Sequence, residues 1–149
     1  MKKLLFILTI FFIGFQNISA QENVENNDTI KKNFRIEKTA TFKGGDKKLM
    51  NFIESQLVYP KEASKMGVQQ KLFIKFVVFK DGIVGDIEVE KTIKIDKLSN
   101  SEKYQKMVEL LKEEAIRVIK ATEGKWKVGT DKGEPADSHF ILPVCFVIQ

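Results

Sequence analysis

Apolar residues recur along this chain with two different periods, and the switches between them mark the elements. Leu49, Met50, Ile53 and Leu57 fall at helical spacing behind Gly44-Gly45-Asp46. They predict a helix over residues 46–56 with Asp46 as its N-cap. Tyr59-Pro60 ends that helix, because the residue before a proline is pushed out of helical geometry. Pro60 can open a further helical turn over 61–66, with Gly67 as its stop. The period then drops to two. Residues 71–79 and 83–91 flank Asp81-Gly82, the signal of a two-residue hairpin loop. The register that follows sets Ile74 against Val89 and Phe76 against Ile87 on one face, with Lys75 against Glu88 on the other. A slip of one residue would put Glu88 and Asp86 opposite Ile74 and Phe76, so the pattern selects the first register. Phe73, Val77, Phe79 and Val84 leave the second face partly apolar.

Helical spacing returns behind Ser99 and Glu102, which have capping-box spacing. Tyr104, Met107, Val108, Leu111, Ala115 and Val118 trace one stripe towards Lys120. A short strand is expected at 125–128, a loop at 129–135 and a long closing strand at 136–148. Pro143 lies inside this last strand. Proline cannot donate to a ladder, so the strand must border solvent over part of its length. The order helix, strand, strand, helix, strand gives an α+β fold in two layers, a small antiparallel sheet with its helices packed on one face.

The chain of 149 residues is one domain's worth, and its hydrophobic share of 43% suffices for a core. Before the first helix the pattern is different. Lys2-Lys3, an apolar run from Leu4 to Phe15 and the small residues Ser19-Ala20 form a signal peptide over residues 1–20. The run turns polar at Gln16-Asn17, short of the ~20 apolar residues a membrane span requires. Residues 21–40 read as a polar, disordered or extended leader, and 41–149 as the folded domain. Without the first 20 residues the charge excess falls from +5 to +3, too weak and too dispersed to indicate nucleic acid. The single cysteine, Cys145, allows no internal disulfide.

Candidate chemistry is sparse. His139 and Cys145 lie six residues apart in one expected strand, about 20 Å at roughly 3.3 Å per residue. They cannot form a nucleophilic dyad there. One His and one Cys supply no metal set, and no cofactor motif occurs. Gly44-Gly45-Asp46-Lys47-Lys48 lacks the spacing of a phosphate loop, and Asp46 would repel an anion. Asp86, Glu88 and Glu90 read as a solvated strand face, and Trp126 as a core or sheet-anchoring aromatic. The Pro143 strand differs, because an open edge with alternating large apolar residues can accept a partner strand by β-augmentation. The same edge could instead be covered by residues 34–42 or by a second copy.

Ordered along the chain, several motifs carry a resemblance. These are Phe42-Lys43-Gly44-Gly45, Leu57-x-Tyr59-Pro60-x-Glu62-Ala63, Gly67, Phe76-Val77-Val78-x-Lys80-Asp81-Gly82 and Val84-x-Asp86. Glu114-Ala115-x-x-Val118-Ile119, Trp126-Lys127-x-Gly129 and Pro143-Val144-x-Phe146 continue the series. Together they resemble the TonB C-terminal domain family, in the version encoded by Bacteroidota, over residues 41–148. The resemblance implies a non-enzymatic periplasmic module with a β-β-α-β core. It also implies pairing of a sheet-edge strand with the short TonB box of an outer-membrane receptor, in transport driven by an ExbB–ExbD motor. The residues matched to that strand are Phe140, Ile141, Leu142, Pro143, Val144 and Phe146.

This chain departs from the family at its N-terminus, where a signal peptide stands in place of the membrane anchor. A proline-rich spacer is also missing, since Pro occurs only at 60, 135 and 143. Lys43 and Gln70 replace an expected Pro and Gly. Two alternatives follow: an inner-membrane-anchored transducer facing the periplasm, and an envelope protein whose edge strands pair into a homodimer. The signal-peptide reading predicts that intact-mass measurement of the exported protein gives an N-terminus at Gln21. A retained Met1 would identify an anchor instead.

Overall fold

A computed structural model of the chain describes residues 38–148, and the expected signal peptide and most of the leader lie outside the described residues. The chain enters through Lys38, which exchanges two backbone hydrogen bonds with Thr130 (2.8 and 3.0 Å). The folded unit therefore starts three residues ahead of the expected Thr41. Strand β1 (Thr41–Phe42) pairs antiparallel with β4 (Trp126–Lys127), not with the closing strand. Helix α1 (Gly45–Gln56) follows. Its N-cap is Gly44, at φ 100°, and Asp46 sits inside the first turn without a capping bond. Two successive glycines at positive φ (Gly45 is at 82°) admit the chain reversal directly, so no capping side chain is needed.

Helix α2 (Lys61–Met66) starts after Pro60 and stops at Gly67 in the left-handed region, as the sequence indicates. The exit of α1 is clamped from below. Arg117 Nη2 donates to the Gln56 carbonyl at 2.7 Å, and Glu114 Oε1 accepts the Val58 N–H at 2.7 Å.

Strands β2 (Gln70–Val78) and β3 (Val84–Lys94) form the expected hairpin, with a correction at its tip. Phe79 N donates to Ile83 O, so the loop holds three residues, Lys80, Asp81 and Gly82, rather than two. Val84 thereby moves opposite Val78 and into the core, instead of lying on the second face. A bulge at Asp86 (φ 48°) then absorbs one extra residue, and Lys75↔Glu88 and Ile74↔Val89 regain the expected register. A second irregularity between Phe73 and Ile74 displaces Glu90. Asp86, Glu88 and Glu90 nevertheless stay on the exposed face around Lys75, as the sequence indicates, with Ile87 and Val89 towards the core.

Helix α3 (Glu102–Lys120) packs across β2 and β3 and buries Tyr104, Met107, Val108, Leu111, Ala115, Val118 and Ile119. Its cap is Ser101, whose Oγ accepts from Tyr104 N, two residues beyond the expected Ser99. At the far end Lys120 Nζ donates to Val84 O (2.7 Å) and Glu123 accepts from Val84 N (3.0 Å). The expected loop at 129–135 is instead a hairpin of β5 (Gly129–Asp131) and β6 (Glu134–Ala136), turned by Lys132 and Gly133 at φ 50° and 79°. β7 (Ser138–Phe146) closes the fold. The sheet order is β3-β2-β7, all antiparallel, in an α+β architecture with the core between sheet and helices. Among the described residues no helix is long and apolar enough to cross a membrane.

One polar cluster lies inside this core. Asp96 accepts from Gln69 N (2.8 Å), Leu98 N (2.9 Å) and the Tyr104 hydroxyl (3.0 Å), and Gln70 Nε2 reaches the same hydroxyl. Burial pushes the Asp96 carboxyl up, but these donors and Lys94 outweigh it and hold its pKa below the ordinary carboxylate value. Burial and the Asp96 carboxylate push Tyr104 up to about 12. A depressed pKa contributes stability above the unfolded value of roughly 3.9 and loses it as pH falls through the folded one. Asp96→Asn should therefore cost about 1–3 kcal/mol at neutral pH. In chemical denaturation the gap to wild type should close below about pH 4.

Candidate functional site: the outer edge of β7

β2 pairs with a neighbour on each side, so its residues alternate between them. Phe79 N and Gln69 O both bond towards the β3 side, which assigns the odd positions of β2 to β3. Its even positions then bond to β7 along an unbroken ladder from Gln70↔Phe146 to Val78↔Ser138. On β7 the even residues are consumed in that ladder. The backbone groups of His139, Ile141, Pro143 and Cys145 are left pointing away from the sheet. Among the described residues none of them has a backbone partner outside the sheet. On the opposite edge, β3, the first residue is satisfied, since Val84 N donates to Glu123 and Val84 O accepts from Lys120.

This parity divides the six residues matched to the pairing strand. Phe140, Leu142, Val144 and Phe146 turn inward: Val144 and Phe146 are buried, while Phe140 and Leu142 pack against the core. Only Ile141 and Pro143 present both side chain and outward backbone. Ile141 is 51% exposed, a large apolar residue left in solvent on the edge. His139 and Cys145 belong to the same outward set and are absent from the sequence assignment. The strict alternation of a strand would have included them had its inward face been fixed first. They stand at opposite ends of β7, opposite Val77 and Lys71, so no dyad forms. Burial pushes the Cys145 thiol above its usual pKa, against the pull of Lys71.

The strand is held rigidly from behind. Phe140 stacks on Phe76 at 5.3 Å and 18°, and its ring lies 4.9 Å from Trp126. Trp126 is a core residue, 6% exposed, with Nε1 donating to Thr122 Oγ1. Phe146 meets Tyr59 edge-on at 5.4 Å, and the Tyr59 hydroxyl donates to Val68 O. Both ends are pinned as well. Ala40 N donates to Ser138 Oγ (2.9 Å), and Ile148 N to Gln69 Oε1 (3.1 Å). Gly129 makes the first of these possible: a Cβ there would stand 2.5 Å from Ser138 Oγ and 2.7 Å from Lys38 O. An edge so fixed offers three N–H donors, at 139, 141 and 145, with a gap at Pro143. Its alternate carbonyls can all accept. Among the described residues no group of three His, Cys, Asp or Glu side chains is placed to hold a metal ion.

No family model matches this chain, and no curated protein matches it. Among solved structures it is similar to two NMR solution structures of the Helicobacter pylori TonB-CTD. One shares 23% identity at a TM-score of 0.49, covering 69% of this chain and 79% of that one. The other shares 23% identity at 0.47, covering 67% and 89%.

Pro143 removes one donor from an otherwise regular edge, a device that limits pairing between identical strands. Pro143→Ala restores the donor without touching the inward row. The variant should show concentration-dependent self-association by sedimentation velocity, absent or weaker in wild type. Identical sedimentation of the two proteins would show that the missing donor does not limit pairing.

Proposed function

We propose that this chain is an exported, non-enzymatic binding module of the cell envelope. It takes an extended segment of an outer-membrane receptor as a fourth strand on β7, in the manner of the TonB C-terminal domain that its motifs resemble. The observation that carries this reading is the unshared edge of β7. Among the described residues its outward backbone groups have no backbone partner outside the sheet, Ile141 stands in solvent, and the strand is fixed in place by the Phe140 and Phe146 contacts. Preorganisation favours strand addition, because a partner peptide then bears the ordering cost alone. Residues 1–20 act as the export signal, 21–37 as a leader and the folded unit from Lys38 onward as the binding unit, working in the periplasm.

A membrane-anchored transducer coupled to an ExbB–ExbD motor would use the same edge and differs only ahead of Lys38. No observation favours that version over the free module. Homodimer formation through β7 competes for the same groups and is opposed by the donor missing at Pro143.

The test is titration of isotope-labelled protein with extended peptides of TonB-box type. Amide resonances between Phe140 and Ile148 should shift first, with Ile141 and Cys145 among the largest changes. Silence of that stretch at millimolar peptide would remove the proposal. Ile141→Asp should weaken the response by roughly 1–2 kcal/mol through lost apolar contact.

A further inference from the structure

A second surface lies on the other side of the fold from the chemistry so far described. Between α1 and the β1–β4 ribbon runs a cleft of about 670 Å³, lined by Phe42, Lys43, Lys48, Phe52 and Lys125 among others. That volume is in the range of ligand sites. Its floor is aromatic. Phe42 and Phe52 lie 6.0 Å apart, and Phe42 is backed by Trp126 edge-on at 5.5 Å. The rim is cationic. Lys125 Nζ stands 5.1 Å over the Phe52 ring, and Lys43 Nζ is held at 2.8 Å on the Gly124 carbonyl. The Lys48 stem lies against Gly44, where an added Cβ would meet its Cδ at 2.2 Å. No acidic residue lines the cleft.

We propose that this cleft binds an acidic peptide segment carrying an apolar or aromatic residue. The apolar side chain lies on Phe52, which the buried Phe42 backs, while flanking carboxylates face Lys43, Lys48 and Lys125. Charge complementarity selects this occupant: three ammonium groups around the half-buried Phe52 ring match a peptide with both features. The cleft is separated from Phe140 behind β7 by the Trp126 ring, but it shares no lining residue with that edge, so labelled amides tell the two sites apart.

The probe is the capped pentapeptide Asp-Glu-Phe-Asp-Glu, with Lys-Lys-Phe-Lys-Lys as its control. Both are titrated into the full chain as purified from cells. Trp126, the only tryptophan, packs on both Phe42 and Phe140, so its fluorescence registers binding at either site. Labelled protein locates the contact. The acidic peptide should shift the amides of residues 42–52 and 124–125 and leave 139–145 unchanged. At 1 M salt, where the screening length is about 3 Å, its affinity should fall steeply. The exposed pair Lys48→Glu and Lys125→Glu, made together, should weaken it roughly tenfold with the fold intact by thermal unfolding. Equal binding of both peptides, shifts confined to β7, or capture by phosphatidylglycerol vesicles in place of the acidic peptide would each overturn the proposal.

Discussion

Leu72, Ile74, Phe76 and Val78 form the inward row of β2, fully buried beneath the apolar stripe of α3. Each such side chain contributes about 1.5–3 kcal/mol by leaving water. The more telling effect is geometric. β2 is the only strand of its sheet with neighbours on both sides, so burying its even residues fixes which of its backbone groups point where. β3 then has to adjust, and does so with bulges that keep Val84, Ile87 and Val89 on the core side. β7 needs no adjustment. Its ladder is unbroken, and its outward groups follow from the same alternation.

Much of this was legible in the sequence. Helical periods located α1 and α3, and Pro60 with Gly67 bounded α2, because these signals are local. Ile74, Val89, Lys75 and Glu88 gave the middle of the hairpin correctly. Its tip escaped because Asp81-Gly82 also fits a three-residue loop, and the choice depended on burying Val84 beside α3. Similarly, Ser99 and Ser101 both precede Glu102, and only the packing of Tyr104 decides which one caps. The β5–β6 hairpin went unread because Lys132-Gly133 lacks the usual Asn-Gly signature.

For the binding edge the sequence supplied the strand but not its parity. Pro143 announced solvent on one side, yet sorting Ile141 from Leu142 required the pairing with β2. The lysine-rimmed cleft was less accessible still. It brings Lys125 to Lys43 and Phe52 across more than seventy positions of chain, through the β1–β4 pairing that no periodicity encodes. Of residues 34–42, one alternative cover for the closing strand, Phe42 joins Trp126 in the core, while 34–37 lie outside the described residues.

That same pairing couples distant stretches of the chain. Lys38 is bound to Thr130, Lys43 to Lys125, and Ala40 to Ser138 at the root of β7. Fraying of residues 38–43 would therefore release Thr130, Lys125 and Ser138 together, so the start of β7 loses its tie whenever that segment opens.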